Sequence, residues 1–319
     1  MSQEPFDVPV ATHERACLGG AGPLIRRMAT AGRLPTPYQC RLWVGRRHPC
    51  RAVASLALWL LLVIPATLHA GDEDGFLGFW ATHQSVVSNH TAALDLCTRY
   101  LTRTPASAYR PAVAALGAWH ALGAGRTNDA RAGFAALLSS GATPVALAAN
   151  DCAQHWLTRF DRESVRAPLA AWYATHASYP DSLKPLLALP ENQRPPAQDR
   201  WNEPWEYRLD GFRLLKKGLG DQHYILESHT LGAASDLARA LAAPFGARLQ
   251  HVKLVRVVTG TSSPTAEIEV GDAGQRHATL MEGTEFAGIR LAKVGAQSVL
   301  LTDGDHWQVL PRAVSGDQP

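Results

Sequence analysis

The chain has 319 residues, of which 46% are hydrophobic and 18% are charged, which is enough apolar material for two or three ordinary domains and excludes a wholly disordered chain. The formal charge of +3 is unevenly spread, because residues 1–70 carry a net +5 and residues 71–319 carry a net −2. A nucleic-acid-binding surface is therefore not expected, since such a surface needs clustered positive charge.

The first element is an apolar run of 17 residues, Ala52–Leu68, which contains no charge and follows three arginines. A positive flank, a short apolar segment broken by a proline and a small residue at its end are typical of a secretory signal peptide. Residues 46–70 are therefore predicted to direct export, with the mature chain beginning near Gly71 in the periplasm. The alternative is that the segment stays uncleaved and anchors the protein in the inner membrane, which is the one membrane contact that we expect.

Residues 1–45 precede this leader, although a signal peptide ordinarily begins a chain. They contain proline, glycine and arginine without periodicity. Two explanations remain open: a disordered extension, or a start codon assigned too early, with Val44 as the true first residue.

Two of the five cysteines, Cys97 and Cys152, lie in the part predicted to be exported. An even number of cysteines in an oxidising compartment predicts a disulfide between them, which would close a loop of about 55 residues. The alternative is two buried free thiols, because both residues fall in predicted helices. Neither cysteine has metal-ligand spacing to another cysteine or to a histidine, so no zinc site is predicted.

The first exported module, residues 71–154, is rich in alanine and leucine and has helical periodicity. Short breaks that contain proline or glycine divide it into predicted helices. These cover residues of about 76–88, 90–103, 106–123 and 127–139, and a further helix starts at 144.

Two segments of this module repeat one spacing at an offset of 37 residues. The repeated positions are Ala93, Cys97 and Tyr100, then Ala130, Phe134 and Leu137. With Gly125 ahead of the second set, the pattern resembles the second half of a tetratricopeptide repeat (TPR), in which small residues let paired helices approach closely. The alternative is a generic antiparallel helical bundle. Either fold, TPR-like or a plain bundle, implies a helical module that supports or binds a partner rather than one that catalyses a reaction.

The second exported module, residues 155–245, begins with apolar residues at helical spacing that predict a helix over about 155–176. A turn and a short helix follow. Strands are then predicted at 205–210, 212–216 and 222–228, the first two joined by an Asp-Gly turn.

This order of a long helix, Tyr-Pro-x-x-Leu, Asp-x-Trp-x-x-Pro-Trp-x-Tyr and a small antiparallel sheet resembles the C-terminal globular part of the major pseudopilin of type II secretion systems. The matching residues are Tyr179, Pro180, Leu183, Asp199, Trp201, Pro204, Trp205, Tyr207 and Ser228. Structural roles are expected for them. The Asp199 carboxylate should cap the turn that presents Trp201, and the buried tryptophans should need partners for their indole N–H groups.

The chain departs from the pseudopilin pattern at two places. Nothing at the Ala70/Gly71 boundary resembles a prepilin leader, so the chain is not expected to polymerise as a pilin. The loop after Ser228 lacks the acidic ligands of the family's calcium loop, and a calcium ion needs several oxygen ligands. No cofactor is therefore predicted.

The third exported module, residues 246–312, has apolar residues at alternate positions between glycine-containing turns, which predicts five or six strands in a small all-β domain. The segment 281–289, followed by Val299, Leu300, Leu301 and Gly304, resembles the periplasmic homology-region domain of type II secretion and the pilotin-like lipoprotein of type IV pili. Proteins of this kind bind the outer-membrane secretin. Asp303, Asp305 and His306 are predicted to form a hairpin turn, and residues 313–319 form a tail.

The sequence contains no nucleophile elbow, P-loop, His-Glu-x-x-His motif or dinucleotide fingerprint. We therefore predict a multidomain α+β protein that acts without catalysis, as a periplasmic component or accessory of a type II secretion or type IV pilus-like system. Its predicted partners are envelope proteins of that machinery. Two alternatives remain open: an exported enzyme that carries these modules, and a periplasmic scaffold unrelated to secretion.

Overall fold

A computed structural model describes residues 65–214, 220–232, 236–259, 263–271 and 276–312. In the first of these ranges, helices form where apolar residues recur at helical spacing. All of these residues belong to one unit, Ser55–Pro319. The predicted extension, most of the predicted signal peptide and the predicted tail lie outside the described residues. None of the described helices is long and apolar enough to span a membrane.

The helices up to residue 176 are α1 (Pro65–Val86), α2 (His90–Arg103), α3 (Arg110–Gly123), α4 (Thr127–Leu137) and α5 (Pro144–His176). Side-chain caps fix two of the starts. Asn89 accepts a hydrogen bond from the Ala92 N–H at 3.1 Å before α2, and Thr143 accepts one from the Ala146 N–H at 3.2 Å before α5. The predicted helices are confirmed, except that α1 begins earlier and α3 begins later, beside Pro111.

Helix α5 runs for 33 residues without a break and continues through Pro168. At 1.5 Å per residue it is about 50 Å long. The predicted boundary between residues 154 and 155 lies inside this helix, so the first and second predicted modules share it. The first part of α5 packs in the helical core and its second part, from Val165, packs in the core of the second module.

The second module consists of α6 (Lys184–Leu187), a two-stranded antiparallel sheet of β1 (Glu206–Leu214) and β2 (Gly220–Glu227), and α7 (Leu237–Ala242). The predicted turn at Asp210-Gly211 is wrong. These residues lie within β1, where the register shifts between Asp210 and Phe212. Gly211 has a φ of 42°, which a residue without a Cβ adopts readily, so the strand bulges at this point and does not end.

The described residues of the third module form seven antiparallel strands in two sheets, after a 3₁₀ turn at Leu249–His251. The three-stranded sheet consists of β3 (Val252–Val258), β4 (Thr265–Val270) and β5 (Arg276–Met281), and the four-stranded sheet of β6 (Glu285–Phe286), β7 (Ile289–Val294), β8 (Ser298–Thr302) and β9 (Trp307–Pro311). The described chain is therefore α+β, as predicted, with one strand more than expected in this module.

The four-stranded sheet is buried on both faces, and every residue of β8 is buried. One face packs on the three-stranded sheet through Ile289, Leu291, Val299 and Leu301. The other face joins the helical core through Ala292, Leu300, Trp307 and Val309. The third module therefore shares a hydrophobic core with the helices.

A buried carboxylate ties α1 to the turn between β7 and β8. The Glu73 side chain accepts hydrogen bonds from the backbone N–H groups of Ala296 at 2.9 Å and Gln297 at 3.2 Å, and from the Ser298 hydroxyl at 2.8 Å. The turn needs glycine at position 295, because a Cβ at this position would collide with the Glu73 carboxylate. Three donors on one carboxylate fix the helix to the sheet.

Candidate protein-binding groove

An open groove of about 510 Å³ lies along α3, which packs against α2 on one side and α4 on the other. Each of the three helices contributes residues at helical spacing, so that one face of each helix borders the groove. They are Leu94, Cys97, Thr98 and Leu101 on α2; Ala114, Gly117, Ala118 and Ala121 on α3; and Asp129, Gly133, Ala136 and Leu137 on α4.

Small residues set the width of the groove. A Cβ at Gly117 would lie 3.4 Å from the Cβ of Cys97, and a Cβ at Gly133 would lie 3.1 Å from the Cβ of Ala118. Both flanking helices therefore approach α3 closely. The six residues of the repeated spacing, from Ala93 to Leu137, are all buried.

The two ends of the groove carry different charges. At one end, the Arg126 guanidinium and the Asp129 carboxylate form an exposed ion pair at 2.7 Å. At the other end, the Arg110 guanidinium donates a hydrogen bond to the Leu101 carbonyl at 2.6 Å. Arg110 forms no ion pair with any residue that the structure describes; the Asp72 carboxylate at the same α2–α3 connection accepts a hydrogen bond from the Ala108 N–H at 2.9 Å.

Cys97 and Cys152 are both buried and free, so the predicted disulfide is not formed. Cys97 packs against Gly117 beneath the groove, whereas the Cys152 thiol donates to the Asp305 carbonyl at 3.8 Å. Burial raises the pKa of the Cys97 thiol to about 12 and that of Cys152 well above its ordinary value. Both thiols are therefore neutral, and neither is an activated nucleophile.

Asp199 has the capping role that the sequence predicts. Its Oδ1 accepts hydrogen bonds from the backbone N–H groups of Trp201 at 2.9 Å and Glu203 at 3.0 Å, and its Oδ2 accepts one from the Ser228 hydroxyl at 2.6 Å. The Trp205 indole donates to the Pro196 carbonyl at 2.9 Å, as a buried indole requires.

The other residues of the predicted pseudopilin-like motif lie around the small core of the second module. The Tyr207 hydroxyl donates to the Pro180 carbonyl at 2.7 Å, and the Tyr179 ring stacks on Tyr173 with a centroid distance of 4.6 Å. Leu183 borders α6, Trp201 packs edge-on against the His155 ring, and Pro204 forms a bridge with Gln198. These contacts are structural, and the motif residues do not line the groove.

The turn between β8 and β9 forms as predicted and also holds an unpredicted ion pair. Asp303 accepts the backbone N–H groups of Asp305 and His306, while the Asp305 carboxylate receives Arg159 Nη1 at 2.7 Å and Nη2 at 2.8 Å. Burial opposes ionisation of Asp305, but the His155 hydrogen bond and the Arg159 charge hold its pKa below the ordinary value. This pair fixes the third module to α5.

Three histidines that the sequence places on separate helices meet behind the groove. His120 Nε2 lies 2.8 Å from His83 Nε2, and His120 Nδ1 lies 3.1 Å from His90 Nδ1. Burial lowers the pKa of His83 to about 4 and that of His120 to about 3, so both rings are neutral at pH 7. The sequence carries no local pattern that relates these histidines, because His90 and His83 lie 30 and 37 positions from His120 on different helices.

No cluster that could hold a metal ion occurs among the described residues. The groove is thus an apolar surface between helices that can accept side chains from another molecule. Comparison with protein-family models, with curated proteins and with solved structures gives no match to this chain.

Proposed function

We propose that this protein is a non-enzymatic periplasmic adaptor of a type II secretion or type IV pilus-like assembly, and that it holds a segment of an envelope protein in the groove of α2, α3 and α4. The observation that carries this proposal is the groove itself, which is apolar, open and bordered by one face of each of three helices. Such surfaces recognise side chains of partner proteins.

The chemistry of the groove favours binding over catalysis. Its thiol, Cys97, is neutral and buried, and its aspartate, Asp129, is paired with Arg126 on an exposed surface. Most of its remaining lining is alanine, glycine and leucine. A general acid or base needs a titratable group poised near the working pH, and these residues do not supply one.

The assignment to secretion machinery rests on the sequence resemblances of the second and third modules. The residues that carry these resemblances have structural roles in the fold, which is consistent with modules that present a surface to a partner protein. The groove lies in the helical module, so a partner bound there would leave the surface of the β module available for a second envelope protein. An adaptor needs two such surfaces, which is why we favour this function over an isolated scaffold.

The experiment tests both the groove and the partner class. Ala114 lies at the half-buried floor of the groove, so Ala114→Phe fills it, whereas Ala135→Phe places the same ring on an exposed position of α4 outside the groove. We expect in-cell crosslinking in the native host to join the wild-type protein and the Ala135→Phe variant to a secretin, a pseudopilin or another protein of the assembly. Ala114→Phe should lose that product.

Two results would count against the proposal. If Ala114→Phe keeps the crosslinked partner, the groove is not the binding surface. If the captured proteins have no role in secretion or pilus assembly, the secretion role is wrong and the two alternatives, a free-standing scaffold and an exported enzyme, remain. Sequencing of the mature N-terminus belongs to the same experiment, and a start near Gly71 is expected.

A further inference from the structure

We propose that the occupant of the groove is an acidic amphipathic helix, an inference that rests on the proposed function and adds the chemistry of its partner. The helices that border the groove favour a helical occupant over an extended one. The charges at the ends of the groove favour an acidic occupant.

The walls of the groove favour a helix because they offer few backbone partners. All three walls are helices, whose own N–H and C=O groups are already hydrogen-bonded within each helix. An extended segment lying on these apolar faces would leave its backbone polar groups without partners, which costs free energy. A helix satisfies its own backbone and presents only side chains.

The spacing of the lining residues fits such a helix. On α2 the lining runs from Leu94 to Leu101 and on α3 from Ala114 to Ala121, in each case over two helical turns, or about 10 Å. The small side chains on α3 let a bound helix insert larger ones. We therefore expect apolar anchors at positions i, i+3, i+4 and i+7 of the partner.

The charge of the surrounding surface selects an acidic partner. Residues 90–140 contain five arginines and two aspartates and no lysine or glutamate. Within the described part of the chain, Asp95 pairs with Arg99, Asp129 pairs with Arg126, and Arg131 pairs with Asp161 at 3.5 Å. Arg103 lines a separate pocket together with Asp72. This leaves Arg110 as the arginine at the α2–α3 end of the groove that has no carboxylate partner among the described residues.

Arg110 is positioned to pair with an acidic residue of the partner. Its guanidinium is exposed at the mouth of the groove and is held by the Leu101 carbonyl, so it is oriented before a partner arrives. A glutamate or aspartate at the end of the bound helix would pair with it. Charges at the rim of an interface mainly set the choice of partner and the association rate, whereas the apolar anchors hold the complex.

The test uses two synthetic amphipathic peptides of about 14 residues that share leucines at i, i+3, i+4 and i+7 and differ in carrying glutamates or lysines elsewhere. Binding to the full-length protein is measured by fluorescence anisotropy. We expect the glutamate peptide to bind at least about tenfold more tightly, and Arg110→Glu to remove that preference. Arg99→Glu makes the same charge change outside the groove and should leave the preference intact.

Equal affinities for the two peptides, or binding of neither, would overturn the inference. An equal effect of Arg99→Glu would show that overall charge, not the mouth of the groove, sets the preference. The Ala114→Phe variant separates this inference from the proposed function. If it loses the cellular partner while the peptides do not discriminate, the groove binds a partner of another chemistry and only the present inference fails. Circular dichroism verifies that each variant remains folded.

Discussion

Two groups of buried polar residues in this protein differ in whether an opposite charge faces them. Arg159 is charged and almost fully buried, and it is matched by the Asp305 carboxylate with two short hydrogen bonds. His83 and His120 are also buried, but among the described residues their ring neighbours are other aromatic or imidazole rings and not carboxylates: Phe79, Trp80, His90, Trp119 and Phe245, with His306 beyond them. The first pair is stable as ions, whereas the histidines are stable only while neutral.

The three histidines form a directional chain in the neutral state. A neutral imidazole has one N–H and one lone pair, so His120 donates to one neighbour and accepts from the other. A first proton added to His83, which has the higher pKa of the two buried rings, is accommodated because His83 then donates to His120 and His120 donates to His90. A second proton places two N–H groups against each other in a site without a counter-charge, and the contact between α1 and α3 opens.

Acid is therefore expected to destabilise the protein through this chain. The pKa of His83 is about 4 and that of His120 about 3 in the folded state, against about 6.5 in the unfolded chain, so the unfolded chain takes up protons first as the pH falls. Stability from these residues is complete above pH 6.5 and is lost toward pH 4 and below. For His83 the loss is on the order of 3 kcal/mol.

Urea unfolding at several pH values between about 7 and 4 measures this dependence. His83→Phe keeps an aromatic ring among its aromatic neighbours and should lose a large part of the acid sensitivity. His277→Phe changes an exposed histidine on β5 and should retain it. An unchanged pH dependence in His83→Phe would show that the buried pair does not control acid stability.

At the scale of the elements, two helical glycines differ in how closely a neighbouring helix approaches them. Gly133 on α4 faces Ala118 on α3, whereas nothing lies within 4 Å of a Cβ built on Gly78 of α1. A branched side chain therefore fits at one position and collides at the other. The consequence reaches the groove, because the distance between α3 and α4 sets its width.

We expect Gly133→Val to destabilise the protein by about 1–3 kcal/mol, the usual cost of overpacking. Gly78→Val places the same side chain in open space and should change stability by less than about 0.5 kcal/mol. Denaturant unfolding compares the two. Equal effects would mean that helix propensity, not the contact with Ala118, governs both positions.

The sequence predicted elements better than it predicted contacts, for a physical reason. Proline and glycine interrupt helical periodicity locally, so the sequence predicts the C-terminal ends of α2 and α3. The bulge at Gly211 was not predicted, because an Asp-Gly pair has the same composition in a turn and in a bulged strand. The Asp199 cap was predicted because its partners are two and four residues away. Contacts such as Glu73 with Gln297 join distant residues that no local pattern relates.

At the scale of the whole molecule, the described modules depend on one another. Helix α5 contributes to two cores, and the four-stranded sheet is covered on one face by helices. Glu73 and Asp305 add polar links between the helices and the third module. The sequence predicts the helical partner-binding module in which the groove lies. It does not predict the walls of the groove, because these form only when α2 and α4 pack on α3.

A fragment of residues 246–312 is therefore not expected to fold by itself. Without the helices, the face of the four-stranded sheet that carries Leu300 and Trp307 would be exposed to water. Circular dichroism and near-ultraviolet spectra of the fragment should lack a cooperative thermal transition, whereas a chain of residues 71–319 should show one. A cooperative transition in the fragment would establish the third module as an independent domain.

The length and continuity of α5 determine how a force applied to the small sheet reaches the other helices. Helix α5 is a rod of about 50 Å that is held near its middle by Asp305 and is buried at its far end against the small sheet, and between those attachments it continues through Pro168 without a loop. A pull on the sheet is therefore delivered along the rod to the helices around the groove, with no loop to absorb it.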